Sequence, residues 1–115
     1  MFKIGIDLIE VERFKNISKK AKFLENIFTE RELKDCEKKY PESLAGRFAA
    51  KEAVRKTISE NIAFNTIKIF NGRDGSPRVD FLDKNIKKKY KSEISITHTK
   101  KLAQAICLTK IISKI

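Results

Sequence analysis

Apolar and polar residues alternate from the start of the chain, with Phe2, Ile4, Ile6 and Leu8 on one side and Lys3, Gly5, Asp7 and Ile9 on the other. This period of two predicts a half-buried strand over residues 2 to 9. The period then lengthens. Val11, Phe14 and Ile17 fall at helical spacing, and Arg13, Lys15, Lys19 and Lys20 lie mostly off that stripe, which predicts a basic amphipathic helix over 11 to 20. Thr29-Glu30-Arg31-Glu32 has the form of a capping box, in which a hydroxyl and a carboxylate three residues apart satisfy free amides at a helix start. A helix is expected from there to about Lys39. Pro41 suits the entry to another, from Glu42 to Ser59. Beyond Asn61 the pattern turns β-like, with Thr66 to Phe70, the turn signals of Asn71 to Pro77, and Arg78 to Phe81 predicting a hairpin. A Lys-rich helix from Leu82 to Lys91 and strands from Glu93 to His98 and Leu102 to Lys110 complete the count. Without repeats or linkers, the expected class is α+β: a single domain over 1–115, with a small antiparallel sheet packed against a central helix.

Three polar residues break this pattern. Asp7 is a carboxylate in an apolar segment. On the helix from 42 to 59, a turn of about 100° per residue places Leu44, Ala45, Phe48, Ala49 and Ala53 on one arc, and Glu52 falls inside it with Lys56 one turn further on. Taken alone, Glu52 and Lys56 are an ordinary i, i+4 pair, worth a few tenths of a kcal/mol. Together with Asp7, Glu52 forms a carboxylate pair on a strand and a helix that a small core packs together. Two such carboxylates suit Mg²⁺, whose remaining ligands are commonly water and substrate phosphate. His98, the only histidine, ends a strand beside Ser95, Thr97 and Thr99. Imidazolium and hydroxyls at one strand end suit phosphate oxygens, although a strand-end histidine is more often structural.

Composition narrows the partners. Twenty-six Lys and Arg against 15 Asp and Glu give a formal net charge of +11, so an anionic partner is expected: nucleic acid, a phosphorylated small molecule or an acidic protein. No stretch approaches the roughly 20 apolar residues of a membrane span, and the chain opens directly on the strand pattern. A soluble, cytoplasmic protein without a signal peptide follows as the expectation, with Cys36 and Cys107 as reduced thiols. Walker loops, nucleophile elbows, paired-His zinc motifs and Cys-His nucleophile systems are all missing from the sequence, so an enzyme here takes its nucleophile from the substrate. A small nucleic-acid binder is the rival reading, motivated by Lys84, Lys87, Lys88, Lys89 and Lys91. It lacks any common recognition motif, and carboxylates at the site would repel a phosphate backbone.

In order along the chain, Gly5-Ile6-Asp7-Leu8-Ile9-Glu10-Val11-Glu12-Arg13-Phe14, Phe28-Thr29-Glu30-Arg31-Glu32, Ala45-Gly46-Arg47-Phe48-Ala49-Ala50-Lys51-Glu52-Ala53-Val54-Arg55-Lys56, Asp74-Gly75-Ser76-Pro77 and Ser95-Ile96-Thr97-His98-Thr99 resemble the holo-[acyl-carrier-protein] synthases of the 4′-phosphopantetheinyl transferase superfamily. The resemblance implies transfer of the 4′-phosphopantetheine arm of coenzyme A to a serine of apo acyl carrier protein, releasing adenosine 3′,5′-bisphosphate, in fatty acid biosynthesis. It implies Mg²⁺ on Asp7 and Glu52, and phosphates of coenzyme A facing Arg47, Lys56 and His98, with Thr99 beside them. The turn carrying Gly75 and Pro77 would lie against the adenine nucleotide, and Arg13 would face the acidic helix of the carrier protein. Ser76 and Asp74 stand where other members often carry Lys or Arg and Asn. The resemblance further implies a homotrimer with active sites between subunits. It leaves Glu52, a water held by the ion, and Lys56 as alternatives for accepting the serine proton.

Overall fold

The computed structural model describes residues 1–15, 21–37 and 41–112. Nine helices and strands follow one another there: β1 (Phe2–Glu10), α1 (Ala21–Ile27), α2 (Glu30–Asp35), α3 (Glu42–Arg55), β2 (Ile67–Asn71), β3 (Pro77–Phe81), α4 (Lys84–Lys89), β4 (Tyr90–His98) and β5 (Leu102–Ile111). The helix predicted from Val11 opens instead as a 3₁₀ turn, Val11–Phe14, with α1 beginning at Ala21; Ile17, Lys19 and Lys20 lie outside the described residues. α2 starts at the expected capping box, where Glu32 N–H bonds Thr29 Oγ1 at 3.2 Å and Thr29 N–H bonds Glu32 Oε1 at 2.9 Å.

The strands divide into two sheets. β1, β5 and β4 form an antiparallel sheet in the order β1-β5-β4, while β2 and β3 form a separate hairpin. α3 lies across β5 and β1, and the sheet admits it because its inner face is made of small groups. Ala103, Ala105, Cys107 and Thr109 of β5 are buried, facing a helix that itself buries Ala45, Ala49 and Ala53. α3 stops at Arg55, earlier than expected. Thr57 just beyond it donates its hydroxyl to the Val54 carbonyl (2.6 Å), which leaves its oxygen to accept from Thr109, and Thr109 in turn accepts from Ser92 (both 2.6 Å). This buried hydroxyl chain ties the end of α3 to β5 and β4.

β1 is turned the other way from a simple reading of its alternation. Phe2, Ile4, Ile6 and Leu8 are 51–69% exposed, while Gly5 and Ile9 face the core and Asp7 is half-buried beside them. The apolar side of the strand faces away from α3 because α3 occupies the side that carries glycine. A similar correction applies to α3. Glu52 is half-buried and Lys56 is exposed; the cation inside the core is Lys51, which is fully buried. α3 is packed on two sides, by the sheet and by α2 with the hairpin, so its polar residues cannot all be assigned from one apolar arc.

Candidate active site

The approach of β1 to α3 is set by Gly5. A Cβ built there would overlap the Ala53 carbonyl oxygen and stand 3.0 Å from Thr57 Cγ2, so only glycine lets the strand come this close. Two residues on, the strand meets Lys56 at the end of α3. The Lys56 ammonium donates to the Ile6 carbonyl (2.8 Å) and lies 3.4 Å from Asp7 Oδ1. Asp7 is the more enclosed partner, its side chain 18% exposed against 52% for Lys56. The carboxylate of Glu52, one turn before Lys56, has no hydrogen bond or ion pair with any described residue. Asp7 and Lys56 thus meet where β1 touches α3, with Glu52 half-buried one helical turn before Lys56.

The remaining expected residues lie elsewhere. Ile9, Ala103 and His98 share a row of the sheet, and Asp7, Ala105 and Ile96 the next. His98 is therefore on the same face as Asp7 but two strands away, about 10 Å across the sheet, and it is exposed. Thr99 makes the β4–β5 turn, its oxygen accepting from the N–H groups of Lys101 (3.2 Å) and Leu102 (3.0 Å). Arg13 is exposed at the same end of the sheet, where Val11 N–H bonds the Lys101 carbonyl at 2.8 Å. Arg47 and Lys56 are nine residues apart on α3, which at about 100° per residue puts them on opposite sides of the helix. Arg47 is nearly enclosed, donating to the Ile69 carbonyl (3.0 Å) and lying 3.6 Å from Asp35.

The turn after β2 is built around Gly75 at φ +83°, the left-handed region that glycine enters without strain. Asp74 Oδ1 accepts the hydroxyl (2.6 Å) and the N–H (3.1 Å) of Ser76, which together hold its carboxyl below the usual range. Pro77 lines a groove of about 730 Å³ between β3 and the neighbouring part of β4, alongside Arg78, Phe81, Tyr90 and Ile94. None of Asp7, Arg47, Glu52, Lys56 and His98 lines it. The residues expected to grip one ligand are thus spread over three places of a single chain.

Two buried or partly buried clusters escaped the sequence reading. Lys51 reaches Glu32 Oε1 at 2.6 Å, and burial pushes its ammonium below the ordinary lysine value while Glu32 opposes the shift. The signal for it was the stripe Leu44, Arg47, Lys51, Val54, which marks a second packed side of α3. The other cluster is Glu60, which accepts from Lys89 Nζ (2.7 Å) and the Tyr90 hydroxyl (2.6 Å); these hold its carboxyl down to about 2 from an ordinary 4.5. A carboxyl lowered on folding stabilises above its unfolded value and loses that contribution as the pH falls towards 2. Tyr90→Phe should move the Glu60 titration, followed by side-chain NMR, back up towards 4.5.

Among the described residues no helix is long and apolar enough to cross a membrane. Curated relatives called holo-[acyl-carrier-protein] synthase match over most of their length. That of Caldicellulosiruptor bescii is 38% identical over 96% of this chain and 98% of its own. That of Clostridium tetani is 41% identical over 84% and 86%. Among solved structures, the Helicobacter pylori holo-[acyl-carrier-protein] synthase in complex with coenzyme A superposes with a TM-score of 0.81 at 29% identity, covering 94% of this chain and all of that one. The Bacillus anthracis enzyme in complex with CoA (3′,5′-ADP) gives 0.75 at 32% identity, covering 92% and 93%. A family model described as the 4′-phosphopantetheinyl transferase superfamily matches residues 3–107, and the chain belongs to that superfamily.

Proposed function

We propose that this protein transfers the 4′-phosphopantetheine arm of coenzyme A to a serine hydroxyl of apo acyl carrier protein, in the cytoplasm and in the service of fatty acid biosynthesis. The observation that supports the reading is the contact of Asp7 with Lys56, one helical turn after Glu52, where Gly5 lets β1 touch α3. The relatives named above and the coenzyme A complexes supply the substrate class.

The donor set fits Mg²⁺. It offers two carboxylates of which one has no partner, and no group of three or more His, Cys, Asp or Glu side chains suited to a metal occurs among the described residues. A site of this kind leaves most of an octahedron to water and substrate phosphate, unlike a structural zinc site. Asp7 and Glu52 would hold the ion, which supplies Lewis-acid neutralisation of the pyrophosphate charge. Lys56, half-exposed beside Asp7, would neutralise the departing bisphosphate, and Glu52 would take the serine proton, with a water held by the ion and Lys56 as the alternatives. His98, Thr99, Arg47, Gly75 and Pro77 would bind coenzyme A from elsewhere, and Arg13 with the net charge of +11 would steer the acidic carrier protein.

The scatter of these residues over one chain favours a site completed by a second copy, in a homotrimer. The outer face of the sheet supports self-association. Ile4 pairs with Leu108 and Ile6 with Ile106, all 40–69% exposed, and Leu8 and Leu102 extend the patch, while β4 turns Lys91, Glu93, Ser95 and Thr97 outwards. An apolar patch confined to two strands is a surface to be covered. β1 is an edge strand with the patch on one face and Asp7 on the other, so a copy that covers the patch and wraps this edge would come within reach of Asp7.

Intact mass of apo acyl carrier protein after incubation with this protein, coenzyme A and Mg²⁺ tests the reaction. The carrier should gain one phosphopantetheine arm, and an Asp7→Asn, Glu52→Gln variant or excess chelator should reduce the rate at least about a thousandfold, the scale of lost electrostatic stabilisation at a reacting phosphate. No gain with a competent carrier overturns the reading.

A further inference from the structure

β2 pairs with β3 along one edge only, and side chains close its other edge. Ile69 donates its N–H to Glu32 Oε2 (3.0 Å) and its carbonyl accepts from Arg47 Nη1 (3.0 Å), while the Ile67 carbonyl accepts from Lys51 Nζ (2.6 Å). Residues two apart in a strand direct their backbone groups to the same edge, so these are successive rungs that a neighbouring strand would fill. Charged groups on α2 and α3 fill them instead. Lys51 also reaches the carbonyls of Ile27 (2.8 Å) and Phe64 (3.0 Å), and Lys51 and Glu32 are fully buried. No buried side-chain nitrogen or oxygen among the described residues lacks a partner.

A buried ion pair is a poor source of stability, because desolvation cancels most of the attraction, and apolar residues of similar size often do as well. What charge-assisted hydrogen bonds to particular backbone atoms supply is a fixed placement. The hairpin needs one. It is not hydrogen-bonded into the three-stranded sheet, and beside β3 lies the 730 Å³ groove instead of a ladder to β4. β2 ends at Asn71, next to the turn that carries Gly75 and Pro77, and Lys51 precedes Glu52 in α3. The clamp therefore ties the hairpin that carries this turn to α3, beside Arg47.

We propose that Lys51 and Glu32 are positioning residues for coenzyme A, clamping Ile67 and Ile69 so that the Gly75–Pro77 turn is held at a fixed place relative to Arg47 on α3. The proposal rests on the transferase reading. Its test is a Glu32→Gln, Lys51→Met double variant, which removes both charges and leaves neither unpaired, with Glu32→Asp, which keeps both charges on a shorter arm, as the milder change. Carrier phosphopantetheinylation is followed by mass at varied coenzyme A and saturating carrier, and hydrogen exchange is read on the peptide spanning 67–71. The double variant should raise KM for coenzyme A at least about tenfold with kcat within about threefold, a pattern of lost ground-state placement. Exchange of the hairpin should accelerate, and Glu32→Asp should fall between. A merely structural pair would lower the active fraction and leave KM unchanged, which overturns the proposal. So does unchanged exchange of the hairpin, or a failure of both variants to fold. Absence of transfer by the unaltered protein would be a different result, against the transferase reading itself.

Discussion

Gly5→Ala is expected to lower the melting temperature by about 10 °C and the transfer rate by about a hundredfold. The added Cβ overlaps a backbone oxygen, that of Ala53, and a backbone atom cannot rotate away as a side chain does. Either β1 retreats or the last turn of α3 shifts, and overpacking of this kind costs about 1–3 kcal/mol. The variant gains about 0.4–1 kcal/mol from a stiffer unfolded chain, since the only positive-φ residue described is Gly75 and Gly5 needs no special backbone angle. With the obstacle at the severe end of the range, a net loss of about 2 kcal/mol remains, which for a domain of this size is roughly 10 °C. The rate falls for a separate reason. Asp7 follows Gly5 by two residues and meets Lys56 at 3.4 Å, and a misplacement of about 1 Å between reacting groups costs about a hundredfold. Thermal melts and the carrier mass assay read the two effects independently. Unchanged melting would show that β1 and α3 tolerate a methyl group between them.

The same contact explains which parts of this protein were legible in its sequence. Periodicity located the elements to within a few residues because strands and helices are local patterns, and the capping box at Thr29 fixed the start of α2. Burial was harder. β1 has an apolar side and a mixed side, and the mixed side is the one that faces the core, since α3 needs the gap at Gly5 more than it needs the contacts of Ile4 and Ile6. Lys51 is hard to see because its stripe on α3 mixes Arg47 with Leu44 and Val54; its four acceptors come from Ile27, Glu32, Phe64 and Ile67, brought together only by the fold. Glu32 was read for its capping role alone, and one carboxylate turns out to serve both purposes. Asp7, by contrast, stood out, as a charge in an apolar strand must find something to neutralise it. The placement of Arg47 opposite Lys56 is the most informative departure. One helix cannot present both to the same phosphate, which favours the proposed arrangement in which coenzyme A meets them on different copies of the chain.

That consequence makes the outer face of the sheet the second place to intervene. Ile6→Glu combined with Ile106→Glu puts two carboxylates opposite each other in the middle of the apolar patch. Within a single chain the change is mild, as both positions are already 45–51% exposed, and substitutions at such sites move stability little. Within an interface it is severe: two like charges lose their water and meet no partner, at a cost of several kcal/mol for each copy. Light scattering should therefore show the unaltered protein at three times 13.3 kDa and the variant at 13.3 kDa, with helix content retained by circular dichroism. Transfer should fall at least about a hundredfold, because Asp7, Glu52 and Lys56 stay intact in every monomer while the coenzyme A contacts of the neighbour are removed. A monomer that still transfers at the original rate would mean that one chain holds a complete site and that Arg47 has no part in binding. A variant that remains trimeric would place the interface elsewhere and leave the apolar stripe of β1 and β5 without its proposed occupant.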